Sequence, residues 1–159
     1  TADDGGFTAV GAANGGAPRV WSSPDGLAWT SRDLPSEAYA ALTGVTDGPA
    51  GLVAVGTASV WTLRDGIAWI RPEQPGYEAG GFEHIISDGR TYYAWGESPD
   101  EASTAMWVSL DGRSWGQVAL PGAETERVAS LLVRDGRLVI FTVNRDVPRT
   151  TTIWTGSAR

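Results

Sequence analysis

With 159 residues, the chain suits one domain that can bury a sizeable core. A net charge of −7 disfavours nucleic acid and anionic membrane as partners, because both attract basic patches. The absence of cysteine excludes disulfides, thiol catalysis and thiolate metal sites, and no apolar run approaches the length of a membrane-spanning helix.

In chain order, the first unit opens at Asp4-Gly5 and carries Trp21 and Trp29 on either side of Asp25-Gly26. The second places strand-like runs over 41–46, 52–55, 59–63 and 68–71, with Asp47-Gly48 in the first turn and Asp65-Gly66 between Trp61 and Trp69. The third repeats this over 82–87, 91–95, 105–109 and 114–119, with Asp88-Gly89 and, between Trp107 and Trp115, Asp111-Gly112. The fourth contains Asp135-Gly136, then the run 138–141, then Trp154 where the first member of another Trp pair belongs. The steps from Trp21 to Trp61, Trp107 and Trp154 are 40, 46 and 47 residues.

Two markers thus share one period, and both Asp-Gly positions fall where tight hairpins need residues with positive φ. The apolar runs are too short and too rich in β-branched and aromatic residues for helices. They also lack strict alternation, as strands covered on both faces do. A four-strand repeat of this length predicts an all-β chain, a β-propeller of four-stranded antiparallel blades. The units run 1–35, 36–75, 76–121 and 122–159. By phase, the first lacks its innermost strand and the last its outermost. That leaves about 14 strands, roughly three and a half blades of a propeller with about six to eight. The chain starts at Thr1 without an initiator Met, as a mature product or excised piece would. The rest of a longer polypeptide is the favoured complement, and a second copy the other.

The segments Ser23-Pro24-Asp25-Gly26-Leu27-Ala28-Trp29 and Ser109-Leu110-Asp111-Gly112-Arg113-Ser114-Trp115 resemble the Asp-box of sialidase-like (BNR-type) β-propellers, shortened so that Gly directly follows Asp. The copy Leu63-Arg64-Asp65-Gly66-Ile67-Ala68-Trp69 lacks the leading Ser. The resemblance implies a propeller and places these boxes on the face away from an active site, in sialidases, lectins, photosystem assembly factors and sorting receptors alike. The reading for Asp25, Asp65 and Asp111 is therefore structural: each carboxylate accepts N–H bonds within its own turn. Gly26, Gly66 and Gly112 supply left-handed backbone. Trp21, Trp29, Trp61, Trp69, Trp107, Trp115 and Trp154 are expected to pack between blades.

Candidate function falls at the opposite end. The spacing from the second-strand Gly, or its equivalent, to the next Trp varies: Gly11 to Trp21 is 10 residues, Gly56 to Trp61 is 5, Gly96 to Trp107 is 11 and Thr142 to Trp154 is 12. Loops between strands two and three open on the same end as the blade-to-blade connections, and variable loops on a rigid scaffold commonly carry function. The ligand-binding candidates there are Arg71, Glu73, Tyr77, Glu78, Glu97, Asp100, Glu101, Arg127 and Arg149. His84, with no second His and no Cys, gives no zinc site and reads as structural or as lining a central channel. No catalytic residue, metal or cofactor is assigned.

The leading expectation is a non-catalytic module that binds a protein or glycan through this variable end, in a secreted or extracytoplasmic setting. All 12 basic residues being Arg fits a GC-rich bacterial genome, actinobacterial in style. The first alternative, implied by the resemblance, is a sialidase-like glycoside hydrolase. Such a site needs three Arg, a Tyr–Glu pair and a separate acid; Arg71, Arg127, Arg149, Tyr77 and Glu78 are of the right types, and a missing half would complete it. The second alternative is a structural or assembly subunit.

Overall fold

The computed structural model describes residues 1–3, 5–35, 41–56, 59–72, 81–97, 104–120, 126–144 and 149–157. These are all-β, with 14 strands in four antiparallel sheets. The first sheet holds β1 (Ala2–Asp3), β2 (Gly6–Ala12), β3 (Pro18–Ser23) and β4 (Thr30–Asp33), and the second β5 (Leu42–Thr46), β6 (Leu52–Gly56) and β7 (Ser59–Leu63). The third holds β8 (Gly81–Ser87), β9 (Tyr92–Glu97), β10 (Thr104–Ser109) and β11 (Gly116–Val118), and the fourth β12 (Glu126–Arg134), β13 (Arg137–Asn144) and β14 (Thr151–Ser157). Every sheet is laid down strand beside strand in chain order.

Two expectations change in detail. The sequence places no strand ahead of Asp4-Gly5, yet Ala2 and Asp3 pair with Phe7 and Gly6. The Thr1 ammonium and the Thr8 amide extend that pairing through reciprocal bonds of 3.0 Å, so three residues suffice to register an edge. Conversely, the strand expected over 68–71 reduces to one bridge, Thr62 to Ile70. The expected run there is short, and Ala68 and Trp69 are only half-buried.

The continuous apolar runs have their explanation in stacking. β6 (Leu-Val-Ala-Val-Gly) is buried throughout, as is Tyr-Tyr-Ala-Trp-Gly of β9. Successive sheets lie face to face with three hydrophobic clusters between them. Val20 meets Leu42, Ala54 and Trp61 between the first and second sheets. Val53, Val55 and Val60 meet Phe82, Tyr92, Trp107 and Trp115 between the second and third. Tyr93, Trp95 and Met106 meet Leu131, Leu138 and Ile140 between the third and fourth. Each large side chain so buried contributes about 1.5–3 kcal/mol.

The register repeats with the sequence. Trp21, Trp61, Trp107 and Trp154 stand opposite Ala9, Ala54, Ala94 and Ile140 respectively. In β5, β8 and β12 the first strand is bulged, skipping Thr43, Glu83 and Ala129. The bulge throws the first strand across the second, whose Gly56 and Gly96 have no room for a Cβ. It would lie 2.0 Å from the Ala41 carbonyl oxygen and 1.9 Å from that of Gly81.

The three Asp-Gly turns between Trp partners share one hydrogen-bond scheme. Asp25 Oδ1 accepts from the amides of Leu27 (2.8 Å) and Ala28 (3.0 Å), and Asp111 Oδ1 from those of Arg113 and Ser114 (both 2.8 Å). The leading serines add a further bond: Ser23 and Ser109 Oγ each accept the following Gly26 or Gly112 amide at 2.8 Å. Asp65, with Leu63 two residues before it where the other turns have Ser, accepts from Ile67 at 3.0 Å and Ala68 at 3.4 Å. Amide donors from Ala28 and Leu27 hold the Asp25 carboxyl below the ordinary range, and those from Ile67 and Ala68 do the same at Asp65.

The Trp rings closing these turns differ. Trp115 is buried against Phe82 and Tyr92, with centroids 5.1 and 6.5 Å away, and Trp69 is half-buried. Trp29, expected between blades like the others, is 45% exposed, its indole N–H bonded only within its own turn to the Gly26 carbonyl. No earlier sheet lies over it among the described residues.

The junction of the second and third sheets is the best tied. The Tyr92 hydroxyl donates to the Gly51 carbonyl (2.6 Å) and accepts the Ala50 amide (2.9 Å). Gly112 fits beside it, where a Cβ would come within 2.5 Å of Val53 Cγ2, and its φ is +70°. Gly66 has the same φ and open space. Gly66→Ala is therefore expected to cost about 1–2 kcal/mol for left-handed backbone alone. Gly112→Ala adds overpacking, for a total of roughly 2–5 kcal/mol. Urea unfolding of the two variants measures the difference; equal losses would contradict the tight junction.

Candidate functional site

Strand direction puts the Asp-Gly turns at one end of every sheet and the loops joining second to third strands at the other. At this loop end a cleft of about 570 Å³ opens between the third and fourth sheets. It is lined by Glu83 and His84 from the β8 bulge, Glu97 from the end of β9, Arg127, Val128 and Ala129 from β12, Val143 and Asn144 from the end of β13, and Arg149 ahead of β14.

The bulges build its walls. The skipped Glu83 and Ala129 break the alternation of β8 and β12 and bring polar residues to a strand edge that would otherwise read as core. His84 lies against Trp95, ring centroids 4.9 Å apart, with its Nε2 4.0 Å from Glu83 Oε2. At the mouth, Asn144 closes the loop base: its amide donates to the Thr150 carbonyl (3.1 Å), and its Oδ1 accepts the Thr150 amide (2.9 Å). That closure holds the neighbouring Arg149 at the rim. Neither Arg127 nor Arg149 has a hydrogen-bonded or ion-paired partner among the described residues.

Beside Arg127, Glu126 is committed to structure. Its carboxylate accepts from the Thr142 hydroxyl, from the Thr152 hydroxyl at 2.9 Å and from the Trp154 indole at 3.4 Å. The Thr142 bond first, then those of Thr152 and Trp154, hold the Glu126 carboxyl below the usual range against the opposing effect of burial. Adjacent residues of one strand thus divide the work, Glu126 bracing β12 to β13 and β14 while Arg127 lines the cleft.

Three of the sequence candidates, Glu97, Arg127 and Arg149, are brought together here. Arg71 is exposed and does not line this cleft, while Glu73, Tyr77, Glu78, Asp100 and Glu101 lie outside the described residues. The sequence reading missed Glu83 and Asn144 and set His84 aside. Their signals were present: two polar residues interrupt an apolar strand at 83–84, and an Asn ends the strand that precedes the longest variable loop.

Chemically, the cleft sets two guanidinium groups against two carboxylates, an imidazole and a carboxamide. Arginine suits planar, bidentate recognition of carboxylates and other oxyanions, and the Glu carboxylates accept from hydroxyl or amine donors. Among the described residues, no group of three or more His, Asp or Glu is placed to hold a metal ion. Two further clefts, of about 470 Å³ between the first and second sheets and about 820 Å³ between the third and fourth, lie at the Asp-Gly turn end. Comparison with protein-family models, curated proteins and solved structures finds no match to this chain.

The bracing of Glu126 is directly observable. The Trp154 indole N–H is expected to titrate in a proton–nitrogen NMR spectrum with a midpoint below the ordinary glutamate value of about 4.3, and Glu126→Gln should abolish the step. Because the folded value is depressed, the stability Glu126 contributes is present above about pH 4.3 and lost as pH falls through the lower folded value. A midpoint at or above the ordinary value would contradict these three hydrogen bonds.

Proposed function

We propose that the chain is a non-catalytic binding module of the Asp-box β-propeller type, its four sheets serving as blades. It recognises a glycan or protein through the loop-end cleft between the third and fourth sheets. The observation that carries this reading is the convergence of Glu97, Arg127 and Arg149 with Glu83, His84 and Asn144 in one cleft. Residues chosen because they sit beside loops of variable length come from separate parts of the chain (β9, β12 and the segment ahead of β14), and three of them line one place.

The electrostatics favour a ligand that brings both an oxyanion and neutral or cationic donors. Arg127 and Arg149 are available because no carboxylate among the described residues neutralises them. Ligands of this description include acidic glycans and mixed-charge peptide segments. In the propeller reading, the stacked sheets are the rigid part and the loop ends set specificity.

Glycan-array and peptide-array binding of the chain tests the proposal. Saturable binding is expected, weakened roughly tenfold or more by Arg127→Ala or Arg149→Ala, as loss of a charged hydrogen bond predicts. Arg113→Ala, at the turn end, should leave it unchanged. Binding indifferent to both cleft arginines would reject this site. Turnover of fluorogenic glycosides, lost with the same substitutions, would replace the module by the hydrolase reading.

A further inference from the structure

The register equivalences make the two outer faces of the stack readable. In the second, third and fourth sheets, one face carries the Trp of the third strand and its opposite residue, as in the pairs Ala54–Trp61, Ala94–Trp107 and Ile140–Trp154. Each of these faces is covered by the preceding sheet. What covers it is always the other face, at the adjacent register position: Val10–Val20, then Val55–Val60, then Trp95–Met106.

Among the described residues, two faces are left uncovered. The Trp face of the first sheet, with Ala9 opposite Trp21, has Phe7 43% exposed and Trp29 45% exposed. The counterparts of Phe7 in the third and fourth sheets are Tyr92 and Leu138, both buried; that of Trp29 in the third is buried Trp115. The covering face of the fourth sheet, with Phe141 opposite Ile153, has Ile153 59% and Leu132 57% exposed. By position and residue type, Phe141–Ile153 is the next member of the series that covers Trp faces inside the chain.

We propose that the Phe141–Ile153 face of the fourth sheet packs on the Ala9–Trp21 face of the first sheet of a second copy of this chain, head to tail. The contact continues the three internal junctions with the same pairing of faces and does not depend on what the loop-end cleft binds. It uses different surfaces of the two copies, so it closes a ring if the rotation permits and otherwise extends into a chain of copies. It also accounts for two exposed aromatic rings at positions whose equivalents are core or packed against it.

Sedimentation velocity and light scattering of the 159-residue chain test this. Species heavier than a monomer are expected at micromolar concentration, with the tryptophan emission shifting to the blue as Trp29 is covered. Ile153→Glu and Phe7→Glu change exposed residues, so both variants should keep the fold, checked by circular dichroism. Each alone should raise the dissociation constant roughly tenfold or more, while Leu27→Glu on the exposed turn should not. Mixing the two single variants should restore association, because one intact face remains on each copy. A monomer at every concentration would overturn the proposal. So would mixtures that stay apart, or association that one of the two variants leaves intact; the latter would mark a contact between like faces.

Discussion

A short antiparallel sheet that is apolar on both faces cannot stand alone in water, and this chain makes four such sheets. Everything else follows from covering them. The strand β6 is buried from Leu52 to Gly56 only because the first sheet lies on one side of it and the third on the other. The same constraint makes glycine necessary at Gly56 and Gly96, where the bulged first strand crosses the second. It also directs the hydroxyl of Tyr92 across a junction rather than within its own sheet.

The bulges link this packing to the candidate site. Shifting register in the first strand serves the close approach of neighbouring strands: Thr43, skipped in β5, donates its hydroxyl to the Phe82 carbonyl of the next sheet at 3.1 Å. At the corresponding place in the third sheet the skipped residue is Glu83, and beyond it His84. One backbone device therefore seals one junction and supplies polar side chains to the cleft at another. Proposed recognition and the packing of sheets share one backbone device, which is why the cleft sits on strands as well as loop ends.

Much of the architecture was legible in the residues. The Asp-Gly turns and Trp spacing marked the units, and most strands lie within a residue or two of their expected places. Turn chemistry is local: Asp25 needs only the amides of Leu27 and Ala28, all within reach in the sequence. The strand expected over 68–71 failed because a four-residue edge needs a neighbour to hold it, and only Ile70 bridges to Thr62. For the candidate site, chain position pointed to the end of the sheets where the cleft opens but also admitted Arg71, which does not line the cleft, and it passed over Glu83 and Asn144.

The sequence by itself determined the regular spacing of the Trp and Asp-Gly pairs, the all-β class, the turn-forming Asp and Gly residues and the separation of turns of constant length from loops of variable length. Those features depend on interactions spanning a few residues or on a periodicity that can be counted. Only the tertiary structure decided which Trp rings are buried, with Trp115 in the core and Trp29 half in solvent. It alone decided that Glu126 braces its sheet while its neighbour Arg127 lines the cleft, and that Glu97, Arg127 and Arg149 meet there. The reason is physical: burial and convergence depend on which sheet covers which, and that is settled by packing between units far apart in the chain.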